Sequence, residues 1–144
     1  MVKLHYMDLK FSTLRVQLSP RGVLEVVLSR PEIRNAFNET LISELATVFG
    51  KVAQAPEVRV IVFKGDGPVF SAGGDLNWMK KSITLSRDEN LKDTTVLSQM
   101  FQTMNECSKP VIGLIHGAAI GGGVGLVSVC DIVIATEDTQ FSLS

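Results

Sequence analysis

Two glycine-rich stretches hold the residues whose types and spacing could do chemistry. One is "FSAGGDL" (70–76), and the other is "HGAAIGGGVGL" (116–126), which puts five glycines into eleven residues of the most apolar part of the chain. Glycine inside an element gives up roughly 0.5–1 kcal/mol relative to alanine, so such density points to close backbone approach or positive φ. Each stretch follows an apolar, strand-like run and leads into a helical pattern. A loop that opens a helix leaves backbone N–H groups without partners, free to converge on one oxygen. Two such loops can form an oxyanion hole; the competing readings are a close-packed turn and a membrane helix interface.

Other chemistries find less support. Neither stretch has the dinucleotide-binding glycine spacing at a helix start, and no Gly-Lys-Ser/Thr closes a phosphate loop. His5 and His116 are isolated from each other and from any carboxylate cluster, so no metal is expected. His116 reads as a packing or capping residue at a strand end. Ser71 and Ser128 lie outside a nucleophile-elbow context, and Cys107 and Cys130 belong to no metal or redox spacing.

The elements that must position these loops alternate between strand and helix. "TLRVQLS" and "GVLEVVLS" flank Pro20, Arg21 and Gly22, which predicts a hairpin. Leu41, Leu45, Val48, Phe49 and Val52 fall at helical spacing, with Pro56 just beyond. "VRVIVFK" (58–64) reads as a strand running into the first glycine loop. Ser86 and Glu89 form a capping-box pattern, followed by a core stripe of Leu97, Met100, Phe101 and Met104 that stops at Lys109 and Pro110. "VIGLI", a glycine turn, a short helix and "DIVIAT" complete the chain. The fold class is α/β, with no internal linker or low-complexity segment.

Composition bounds the possibilities further. The 144 residues are 45% hydrophobic and 20% charged, enough for one globular domain with a core. Fourteen basic and fifteen acidic residues give a net charge of −1 without a basic run, so nucleic acid is not expected as a partner. Two cysteines in unrelated contexts fit a reducing, cytoplasmic setting, and the amino-terminal stretch lacks the apolar run of a signal peptide. Gly113, Gly117, Gly121 and Gly125 recur at small-xxx-small spacing within an uncharged run. Lys109, Pro110 and Asp131 bracket that run and three consecutive glycines weaken any single helix through it, so a membrane span is not expected.

Taken in order, "RPEIRNAF" (30–37), "FSAGGDL" (70–76) and "HGAAIGGGVGL" followed by "CDIVIA" resemble the enoyl-CoA hydratase/isomerase, or crotonase, family. The resemblance runs from about Val23 onward. It implies a crotonase (ClpP-like) spiral of ββα units in which two backbone N–H groups polarise an acyl-CoA thioester carbonyl. Carried onto this sequence, the donors are Gly74 and Gly122, and a side chain at Gly122 would crowd the thioester. CoA contacts fall on Ile33, Arg34, Ala72, Asp75 and Leu76, with Arg34 facing a phosphate and Asp75 serving either as a ligand contact or as a helix cap. The thioester is a substrate; no cofactor and no metal are implied.

The acid–base residues depart from the family pattern. Where two-glutamate members carry their first glutamate, three positions after the oxyanion glycine, this chain has Gly125. The second would fall directly after Ser144. Asp131, Glu137 and Asp138 read as structural or solvated and do not replace them. "DLNWM" (75–79) and "FSLS" (141–144) further resemble a branch of methylglutaconyl-CoA and carboxygeranoyl-CoA hydratases that keeps only the second glutamate. The expectation is therefore the N-terminal half of a hydratase for a branched, carboxylated enoyl-CoA. It is truncated before the C-terminal helices that build trimers or hexamers and is inactive by itself. Isomerisation, decarboxylation or dehydration in polyketide branching, and a non-catalytic acyl-CoA-binding role, are the alternatives.

Overall fold

The computed structural model describes residues 9–143. Residues 1–8, which include His5 and the first part of the amino-terminal stretch (1–18) that bears on targeting, lie outside them, as does Ser144. Strands β1 (Leu14–Leu18) and β2 (Val23–Leu28) form the expected hairpin, antiparallel with Leu14 opposite Leu28. Gly22 sits at the turn with φ +84, a conformation that L side chains rarely adopt. Helix α1 (Glu39–Gly50) is capped by Asn38, whose side chain accepts the Leu41 N–H, and it buries Leu41, Ile42, Leu45, Val48 and Phe49. The sequence stripe extends to Val52, but the helix stops sooner and Val52–Gln54 forms a 3-10 turn.

Strand β3 (Val60–Gly65) leads to α2 (Leu76–Ser82) and α3 (Arg87–Asn105), and then to β4 (Val111–Ile115). The capping box at Ser86 and Glu89 is formed on both sides. Met100 and Met104 are buried and Leu97 and Phe101 pack against the core, as the stripe requires. The second glycine stretch is more ordered than a turn. It contains a short strand β5 (Ala118–Ile120) before α4 (Gly122–Ser128), then β6 (Ile132–Ala135) and a final short strand β7 (Gln140–Ser142).

The larger sheet runs β1-β2-β3-β4-β6, with every pair after the hairpin parallel. A smaller sheet pairs β5 with β7 in parallel, and isolated bridges join Phe37 to Gly74 and Ser71 to Ala119. Each turn of the chain thus passes from a large-sheet strand to a segment of the smaller layer and then, in the first three turns, into a helix. That is the ββα spiral implied by the resemblance. The core between helix and sheet includes an edge-to-face aromatic series: Phe49 of α1 on Phe63 of β3 at 5.9 Å, and Phe63 on Phe70 at 5.4 Å. Phe70 is fully buried, so the first glycine loop starts from a fixed point in the core.

Candidate active site

Between Phe70 and α2 the chain has one backbone donor without a partner. Phe70 N–H donates to the His116 carbonyl, Ser71 to Ala118, Ala72 to Arg34, and Asp75 to Phe37. Gly73 N–H donates to Ser71 Oγ at 3.2 Å. Among the described residues, Gly74 N–H has no acceptor. At the second loop Ile120 N–H donates to the Ser71 carbonyl and Gly121 N–H to the Ser142 carbonyl. Gly122 and Gly123, the first residues of α4, have none, as expected for the opening turn of a helix.

The two loops touch. Gly73 has φ +86, and a Cβ placed on it would lie 2.6 Å from the Ile120 oxygen and 3.3 Å from Gly122 N. Gly123 presses on Ser71 so closely that a Cβ there would meet the Ser71 carbonyl oxygen at 2.6 Å. These glycines therefore serve close backbone approach, which brings the two loops into contact along one seam. The need for glycine at position 122 has a different cause from the expected one. A Cβ there would lie 2.2 Å from Phe37 Cζ, so the crowding is with the protein's own aromatic ring rather than with a ligand.

The "RPEIRNAF" segment forms the facing wall. Pro31–Ile33 is a 3-10 turn, after which Arg34 and Asn35 both take left-handed φ, +55 and +53. Asn35 is fully buried and stabilises that conformation with four hydrogen bonds: its Oδ1 accepts the Arg30 N–H, and its Nδ2 donates to the carbonyls of Asp66, Val69 and Phe70. Arg30 donates to the Ala36 carbonyl and pairs with Asp75 at 3.3 Å. Asp75 also caps α2 by accepting the Asn77 and Trp78 N–H groups. Of the two roles left open for Asp75, the helix cap is therefore present in the structure.

A cleft of about 530 Å³ opens along this wall, lined in part by Ile33, Arg34, Ala72, Gly74, Asp75 and Leu76. Six of the seven positions carried over from the resemblance thus share one cleft. Gly122 does not line it; its N lies 3.3 Å from where a Cβ on Gly73 would sit. Lys80 also lines the cleft, giving it a second cation beside Arg34. Leu76 is largely exposed, and Met79 and Trp78 flank Gly74.

Arg30, Asn35 and Ser71 were not singled out from sequence as site residues. The available signal was a buried-type Asn within "IRNAF" and a Ser immediately before the glycines, but neither reveals its partner without the fold.

No side chain projects from Gly125, and the Phe101 ring covers it: a Cβ there would be 3.0 Å from ring carbons. Asp131 accepts the Val111 N–H, which joins β4 to the start of β6, and Glu137 and Asp138 lie exposed in the turn after β6. His116 Nε2 bonds the Gly67 carbonyl oxygen at 2.7 Å, in line with a strand-end role. Cys107 and Cys130 are free thiols, and burial pushes Cys130 up to about 11, with Asp131 adding to the effect. Among the described residues no group of His, Cys, Asp and Glu is placed to hold a metal ion, and no helix is long and apolar enough to cross a membrane.

Comparisons with known proteins agree with this architecture. The human mitochondrial Delta(3,5)-Delta(2,4)-dienoyl-CoA isomerase is 35% identical across 94% of this chain and 44% of its own length. An enoyl-CoA hydratase from Shewanella pealeana superimposes with a TM-score of 0.89 at 35% identity, covering 98% of this chain and 53% of that one. An enoyl-CoA hydratase from Mycobacterium smegmatis gives 0.86 at 32% identity, over 92% and 51%. The chain thus spans about half the length of these relatives. Residues 19–144 match the enoyl-CoA hydratase/isomerase family, and the chain belongs to that family.

Proposed function

We propose that this chain carries the oxyanion hole and the CoA-binding cleft of an enzyme that hydrates a 2-enoyl-CoA thioester. The observation that supports this reading is the convergence of two loops, each presenting an unpartnered glycine N–H, Gly74 and Gly122, at one seam. As the α-carbon takes on carbanion character, charge moves to the thioester oxygen. Fixed donors aimed at that oxygen stabilise it without reorganising, each contributing about 3–4 kcal/mol in comparable sites. Arg34 and Lys80 supply cations for the CoA phosphates, while Ile33, Ala72 and Leu76 border the rest of the carrier. Asp75 acts by holding α2 and Arg30 in place.

By the family resemblance the proton-transfer glutamate falls directly after Ser144; within the described residues Gly125 offers no side chain and Asp131 is engaged with the backbone. A branched, carboxylated enoyl group is the acyl chain favoured by the "DLNWM" and "FSLS" segments, and the complete protein is expected to work as a trimer or hexamer. Cell fractionation decides between the cytoplasm, expected from composition, and the mitochondrion named for relatives.

A second reading, double-bond isomerisation, draws support from the 35% identity to proteins named dienoyl-CoA isomerase. Both reactions place developing negative charge on the thioester oxygen, in an enolate for hydration and in an extended dienolate for isomerisation, so one oxyanion hole serves either. The protein expressed from its native gene is incubated with a 2-enoyl-CoA and with a dienoyl-CoA, and the products are weighed. A gain of one water supports hydration, and an unchanged mass with a shifted double bond supports isomerisation. Absence of both reactions contradicts the proposal.

A further inference from the structure

Resting on the oxyanion-hole reading, we propose that Ser71 is a positioning residue that aims the Gly74 N–H by occupying the N–H of Gly73. Along residues 70–75 every engaged backbone donor is matched to a backbone carbonyl except Gly73, whose acceptor is the Ser71 side chain. Ser71 is fully buried, and its hydroxyl is not free to turn: it donates to the Asn35 carbonyl at 3.0 Å, which leaves a lone pair facing Gly73. Asn35 is in turn fixed by its own four bonds.

Ser71 also spans the two loops. Its N–H reaches the Ala118 carbonyl, its carbonyl receives the Ile120 N–H, and its main chain packs on Gly123. One residue therefore sets both the direction of the Gly74 peptide and its separation from Gly122. With alanine at 71, the buried Gly73 N–H loses its acceptor and the Asn35 carbonyl loses a donor, a cost that the loop relieves by rotating the peptides next to Gly74. The geometry of the donor changes while the cleft that holds the CoA carrier stays in place.

The experiment uses glycine-selective 15N labelling together with butyryl-CoA carrying 13C at its thioester carbonyl, a saturated probe that does not turn over. In the unaltered protein, Gly73 is protected from hydrogen exchange, Gly74 is not, and the bound carbonyl resonance moves downfield. In Ser71→Ala, Gly73 exchange rises about tenfold, most of the carbonyl shift is lost, and the Kd for butyryl-CoA changes by less than about threefold. A full carbonyl shift in Ser71→Ala overturns the Ser71 proposal and leaves the oxyanion hole standing. No shift in the unaltered protein overturns the oxyanion hole and the Ser71 proposal with it. If Ser71→Ala does not fold, Ser71→Cys, close in shape but a weaker acceptor, is expected to give an intermediate shift; an unchanged one overturns the proposal.

Discussion

Gly74 and Gly122 tolerate a side chain to different degrees, and the difference separates a packing role from a donor role. A Cβ at Gly74 first meets the Met79 sulfur at 3.2 Å, the flexible part of a half-exposed side chain. Gly74→Ala should therefore cost less than about 1 kcal/mol of stability. A Cβ at Gly122 strikes the buried Phe37 ring, so Gly122→Ala should cost about 1–3 kcal/mol. Urea denaturation of both variants checks the order. Gly117 and Gly121 form a second test, since both have positive φ but only Gly117 lacks room, with Pro68 O 2.1 Å from its would-be Cβ. Gly121→Ala is expected to lose about 1–3 kcal/mol from its backbone conformation alone, φ +52 with ψ −118, and Gly117→Ala clearly more. The glycine stretches were legible from composition as places of close backbone approach. Which neighbour each glycine meets was not, because Phe37, Ser71 and Pro68 are distant in sequence and come together only through the spiral.

The elements that aim the loops are joined by a few polar ties, and these give predictions that can be checked by pH and mutation. Glu44 on α1 receives hydrogen bonds from the backbone and hydroxyl groups of Ser12 and Thr13, beside β1. Burial pushes its carboxyl upward, but those donors outweigh burial and hold it below the ordinary glutamate value. The unfolded chain then binds the extra proton first, so this contribution is complete above about pH 4.3 and is lost as pH falls through the folded value. Stability measured by thermal melts should decline on acidification in that range, and Glu44→Gln should be less stable near neutrality with a shallower acid decline.

Arg30 and Asp75 are mostly buried, and their pairing holds the "RPEIRNAF" wall to α2. Arg30→Ala should cost about 2–3 kcal/mol because it leaves Asp75 uncompensated. Asp75→Asn should cost less, since the amide oxygen still caps the helix. The α1 and α3 helices and the β1–β2 hairpin were readable because periodicity and capping chemistry act locally. Strands β5 and β7 were not, because three-residue strands carry no period of their own and exist through pairing with each other.

At the scale of the whole molecule, the large sheet ends at β6 with apolar side chains uncovered on both of its faces: Ile132, Val133 and Ile134 are 54%, 41% and 58% exposed. An uncovered apolar strand at a sheet edge promotes association. The 144-residue chain by itself should sediment as oligomers at concentrations of about 10–100 µM, and Ile134→Lys should shift it toward monomer. The α/β class was legible from the alternation of strand and helix patterns and the family from the order of three motifs, while the identity of the acid–base group was not, because Gly125 contributes no side chain.

The central claim is that both loops present their donors to one thioester oxygen. Its most direct test is a titration of the 15N-glycine-labelled protein with butyryl-CoA, following the amide signals of Gly74 and Gly122. Both are expected to move downfield and to saturate together. Saturable binding that leaves either amide unmoved would contradict it.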